Sequence, residues 1–85
     1  FQRFPCLKLA YQALASGGAA PAILNAANEE AVAAFLEHRI PYLAISETLA
    51  SVLARLHDRP AGNLEELEAV DTEARNLAQA LIATL

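Results

Sequence analysis

The sequence predicts an all-α domain, a bundle-like packing of four helices. Three observations carry this. Apolar residues recur at spacings of three and four along four separate stretches. The breaks between the stretches are Gly17-Gly18, Pro41 and Asp58-Arg59-Pro60-Ala61-Gly62, all signals of turns rather than of extended chain. No alternation of apolar and polar residues runs beyond about four positions, and there is no repeat or low-complexity linker. Short connections make consecutive helices antiparallel neighbours. With 85 residues, there is room for one domain that buries about 60–65% of its unfolded surface.

Taken in order, Phe1 to Phe4 reads as an arriving linker. Pro5 can open a first helix whose inward stripe is Leu7, Ala10, Tyr11 and Leu14. Gly17-Gly18 stops it, one glycine supplying a left-handed cap. The central helix runs from Pro21 to about His38, read as PAILNAANEEAVAAFLEH. Its alanines favour helix. Leu24, Ala27, Ala31 and Phe35 continue the period, with Phe35 expected to be the aromatic on which the core depends. A helix this apolar all round is expected at the centre of the packing. His38 and Arg39 suit the negative end of its dipole, and Pro41 enforces the break.

The third helix is expected over about Ala44 to His57, with the stripe Ile45, Leu49, Val52, Leu53 and Leu56. After the longest loop, Asn63 caps a short helix and Glu66 stands in capping-box spacing. Asp71 then reads as a second cap that restarts a helix through Ala83. The stripe of this last segment is Ala74, Leu77, Ala78, Leu81, Ile82 and Leu85.

Composition narrows the function. A net charge of −4 and scattered basic residues argue against a nucleic-acid surface. No stretch reaches the roughly 20 strongly apolar residues of a membrane span. No basic segment precedes an apolar run with a cleavage site. One cysteine, Cys6, fits a reducing compartment and reads as a packed small hydrophobe. With Phe1 at its start and no methionine, the chain is expected to be a processed or excised piece of a longer product.

Catalytic chemistry finds little support in the residues. The three glycines, Gly17, Gly18 and Gly62, cannot build a dinucleotide fingerprint or a phosphate loop. His38 and His57, with one cysteine, give no zinc spacing and read as exposed residues at helix ends. Ser16, Ser46 and Ser51 lack a glycine-flanked elbow. Glu65, Glu66 and Glu68 fall at a helix start, where negative charge is stabilised. No catalytic, cofactor-binding or metal residue is therefore assigned.

The one informative polar patch is Asn25, Asn28 and Glu29, at i, i+3 and i+4 on one helix face that continues as Val32 and Leu36. Asparagines inside a helix need compensating contacts. The patch can hydrogen-bond within or beside the bundle, holding the Gly18–Ala20 turn or a neighbouring helix end. It can face a neighbouring domain, or it can touch substrate. The first is the preferred reading.

Two blocks resemble one family. They are Arg3-Phe4-Pro5-Cys6-Leu7-Lys8-Leu9-Ala10, followed by the glycine break, and Ala20-Pro21-Ala22-Ile23-Leu24-Asn25-Ala26-Ala27-Asn28-Glu29, running on through Ala31-Val32-Ala33-Ala34-Phe35-Leu36. With the later Asp71…Ala74-Arg75, they resemble the C-terminal helical domain of the 1-deoxy-D-xylulose 5-phosphate reductoisomerases over essentially the whole chain. A departure lies at the third helix, where that family often has an aspartate near Ala44; it touches only the local cap.

The resemblance implies that residues 1–85 are the C-terminal domain of a larger enzyme. In that family an N-terminal domain holds NADPH, and a central catalytic domain supplies carboxylates for Mg²⁺ or Mn²⁺. The whole enzyme converts 1-deoxy-D-xylulose 5-phosphate to 2-C-methyl-D-erythritol 4-phosphate for non-mevalonate isoprenoid synthesis. It implies a bacterial cytoplasmic homodimer, and for this chain a scaffolding role against the catalytic domain, with no cofactor of its own. The competing class is a free-standing helical interaction module docking through Asn25, Asn28 and Glu29.

Overall fold

Gly17 and Gly18 take φ of +68° and +55°, left-handed values that a side chain resists, and the turn they form launches the central helix. The computed structural model of the protein describes residues 17–85. The expected first helix, with Cys6, lies outside the described residues. Among these residues there are three helices and no strand: α1 (Ala20–Leu36), α2 (Leu43–Leu56) and α3 (Leu64–Ala83). The all-α class holds.

The backbone alone closes the turn into α1. The Ala20 N–H donates to the Gly17 carbonyl at 3.2 Å, and Ile23 N–H donates to Ala19 at 2.9 Å. Ala19 supplies no side-chain cap, and Pro21 occupies the first turn, where its missing donor costs nothing. The buried face of α1 is Ala20, Ile23, Ala26, Ala27, Ala31 and Ala34. This corrects the expected stripe: Ala27 and Ala31 are buried, but Leu24 and Phe35 only flank the core. Small side chains let neighbouring helices approach closely, so the alanine face turns inward and the larger residues move to its margins. Phe35 packs edge-on against Tyr42, ring centroids 5.6 Å apart and planes at 68°.

α1 stops at Leu36, earlier than the sequence suggested, through a Schellman pair. His38 N–H donates to Phe35 at 3.0 Å and Arg39 N–H donates to Ala34 at 2.9 Å. His38 holds the left-handed position at φ +62°, a place that glycine usually fills. Ile40 then dips back into the core.

α2 buries Ile45, Leu49, Val52 and Leu56 as its spacing predicts, with Leu53 beside them. Its N-terminus has no side-chain cap. Short bonds from Ala44 and Ile45 N–H to Pro41 and Tyr42 tighten the first turn instead. Thr48, the buried polar residue of the described core, donates its hydroxyl to Ala44 O at 2.8 Å and is satisfied within its own helix.

α3 corrects the expected break at Asp71, since one helix of 20 residues runs from Leu64 to Ala83. Asn63 caps it, its side-chain oxygen accepting from Glu66 N–H at 2.8 Å. Glu66 reaches back to Gly62 N–H at 2.8 Å, a capping box displaced by one residue. Val70, Ala74, Ala78 and Ile82 form a strict four-residue ridge into the core, and Leu85 points to solvent. Ile23, Leu49 and Val52 are the largest fully buried side chains. α1 lies along both partners, which touch each other less extensively. No described helix is long and apolar enough to cross a membrane.

His38→Gly should raise stability by about 0.5–1 kcal/mol, because glycine escapes the steric cost of the left-handed cap. A rise in the urea midpoint of the 85-residue chain checks it; an unchanged or lower midpoint would show that His38 carries no strain.

Candidate functional site

The continuity of α3 through Asp71 places Arg75 against the middle of α1. Asp71 and Arg75 are one helical turn apart, acid before base, the favourable order for such a pair. Arg75 Nε donates to Asp71 Oδ2 at 2.8 Å, and Nη2 lies 3.4 Å from Oδ1. The same guanidinium crosses to α1, where Nη1 donates to Glu30 Oε2 and Nη2 to Glu29 Oε2, both at 3.1 Å. Gln79 Nε2 donates to the other oxygen of Glu30 at 2.7 Å. One planar cation thus ties three carboxylates across the α1–α3 seam, a task suited to the five-donor fork of arginine.

The seam is partly dry. The Arg75 side chain keeps 30% of its surface exposed and that of Glu30 only 23%. The hydrogen bonds that Arg75 donates to Asp71, then to Glu29 and Glu30, raise its pKa above the ordinary value, against the opposing effect of burial. A second, more exposed pair ties the α2–α3 loop to α3. Arg59 grips Glu73 bidentately at 3.0 and 2.9 Å, which lowers the Glu73 pKa below its usual range.

The predicted patch is only partly drawn into this arrangement. Asn25, Asn28 and Glu29 are all exposed. Asn25 Nδ2 lies 3.4 Å from Glu29 Oε1, so it steadies the carboxylate that Arg75 holds. Asn28 makes no side-chain hydrogen bond to a described residue, and neither asparagine bonds the Gly18–Ala20 turn. Glu30, Arg75 and Gln79 were not singled out by the sequence as site residues; the Asp71–Arg75 spacing was the available signal. An open groove of about 480 Å³ adjoins the seam, lined by Ala22, Asn25, Leu67, Glu68, Asp71 and Thr72.

The described residues do not fit a resident metal or dinucleotide. No three of their His, Cys, Asp and Glu side chains are placed to hold a cation, and in the seam the guanidinium itself occupies the space between the carboxylates. Gly17 and Gly18 share one turn and Gly62 lies in another, and His38 and His57 are exposed. The arrangement joins helices: Arg75 holds the carboxylates of Asp71, Glu29 and Glu30.

Arg75→Ala should cost about 1–3 kcal/mol, since it removes charge-assisted bonds and leaves three carboxylates facing one another. Arg75→Lys should recover less than half, because an ammonium cannot reproduce the fork. Urea unfolding of both variants checks this, and an Arg75→Ala midpoint equal to the parent's would refute the seam's importance.

Comparison with known proteins agrees with this architecture. The family model for the DXP reductoisomerase C-terminal domain matches residues 1–77. Relatives named 1-deoxy-D-xylulose 5-phosphate reductoisomerase include one from Burkholderia multivorans, 54% identical over 98% of this chain and 21% of its own. Another, from Nitrosospira multiformis, is 48% identical over 100% of this chain and 22% of its own. The solved 1-deoxy-D-xylulose 5-phosphate reductoisomerase from Zymomonas mobilis in complex with NADPH superposes with a TM-score of 0.88 and 48% identity, over 99% of this chain and 22% of that one. The chain therefore spans about a fifth of the length of the relatives it matches. By sequence and by fold, the chain belongs to the DXP reductoisomerase C-terminal domain family.

Proposed function

We propose that residues 1–85 serve as the C-terminal structural domain of a 1-deoxy-D-xylulose 5-phosphate reductoisomerase. That enzyme would use NADPH and Mg²⁺ or Mn²⁺ to rearrange and reduce 1-deoxy-D-xylulose 5-phosphate to 2-C-methyl-D-erythritol 4-phosphate, in the cytoplasm and as a homodimer. The domain's part is mechanical. It presents a stiff helical body against which a catalytic domain keeps its reacting groups within the tolerance that catalysis requires.

The observation that carries the reading is the match to named reductoisomerases over 98% of this chain at 54% identity. The chemistry of the described residues supports the division of labour, since they bring together helix-joining groups rather than a cofactor cradle. NADPH, metal and substrate would then be held by the remaining four-fifths of such a protein.

The 85-residue chain alone should oxidise no NADPH with substrate and either metal, while the full-length protein should turn over. Spectrophotometric turnover by the isolated chain would overturn the structural role. A reading frame upstream of Phe1 without dinucleotide-binding and metal sites would instead support a free-standing interaction module.

A further inference from the structure

We propose that the apolar corner formed by Leu36, Tyr42 and Leu43 is the surface through which this domain seats on the preceding part of its own polypeptide. Leu36 ends α1 and Leu43 begins α2, so the two flank one short turn. They are 68% and 69% exposed, and Tyr42 between them in sequence is 64% exposed. Singly exposed leucines, such as Leu64 and Leu85 elsewhere in the molecule, need no explanation. Three large exposed apolar side chains bracketing one turn do, even with the exposed Glu37–Arg39 ion pair beside them, because such exposure marks contact surfaces.

The corner is also held still. The Schellman bonds of His38 and Arg39 fix the exit of α1. Ile40 anchors the middle of the turn in the core, and Phe35 braces the Tyr42 ring edge-on. Large rigid side chains that are already positioned lose little entropy on docking. Tyr42 offers an apolar ring with a polar tip, the kind of side chain enriched at contact surfaces.

The occupant follows from length. Four-fifths of the relatives' chain lies outside this domain, so the same polypeptide supplies a body large enough to cover the corner. The seam face is a poorer candidate. Its exposed groups are Asn25, Asn28 and Glu29, and the Glu29 carboxylate is already held by Arg75. The chemistry expected of the partner surface is an apolar patch with an acceptor or donor for the Tyr42 hydroxyl. This inference rests on the structural-domain reading above, and it adds which face is used.

The test is photo-cross-linking in the full-length protein, with p-benzoylphenylalanine placed at Tyr42, at Leu64 or at Asn28, followed by mass spectrometry of the linked peptides. The Tyr42 position should link in high yield to peptides preceding residue 1, and Leu64 and Asn28 should not. Links from Tyr42 only to residues 1–85, to a second copy, or to nothing would overturn the proposed face. If Leu64 or Asn28 links to the preceding peptides while Tyr42 does not, the structural-domain reading stands and this face is wrong. If no position links to them, both are wrong.

Discussion

The close approach that alanine permits is what the rest of this molecule depends on. Ala26, Ala27, Ala31 and Ala34 of α1, with Ala74 and Ala78 of α3, lose all contact with solvent. None of them offers much apolar area, so the core relies on number and density of contacts rather than on bulk. The large fully buried residues are few: Ile23 from α1 and Leu49 and Val52 from α2. An interior built this way has little slack. Each methyl-sized position sets how near two helices come, and every side chain at the margin is placed by that distance.

The polar seam is one such consequence. With α1 and α3 drawn together, an arginine on one helix reaches two adjacent glutamates on the other while still gripping an aspartate a turn away. A half-exposed ion cluster of this kind adds modest stability, since desolvation offsets much of the attraction. Its stronger effect is on register. A planar guanidinium satisfied on three sides permits one rotation and one slide of α3 against α1, whereas an alanine ridge alone would tolerate others.

Much of this was legible in the residues, and the gaps have physical causes. α2 could be read directly, because Ile45, Leu49, Val52 and Leu56 contrast with polar residues on the opposite face. α1 could be placed at the centre but not rotated correctly. Alanine is neutral between faces, so Leu24 and Phe35 outweighed the small residues that the partners select. Asp71 resembled a helix cap because aspartate competes for backbone donors. Its carboxylate is engaged by Arg75 instead, and the helix runs on. Asn25 Nδ2 lies 3.4 Å from Glu29 Oε1 one turn on, but Arg75 lies 46 residues from Glu29 in sequence, and only the packing of α1 on α3 brings them together. The exposed corner at Leu36, Tyr42 and Leu43 left no signal, since an apolar residue at a helix end looks the same whether it points in or out.

The claim that alanine spacing governs the fold is tested most directly by enlarging one buried alanine and one exposed alanine of the same helix. Ala27 is fully buried and Ala33 faces solvent. Urea unfolding of Ala27→Leu should show a loss of about 1–3 kcal/mol or a broadened, less cooperative transition. Ala33→Leu should stay within about 0.5 kcal/mol of the parent. Equal midpoints for the two variants would contradict the account, because they would mean that α1 can move away from its neighbours without cost.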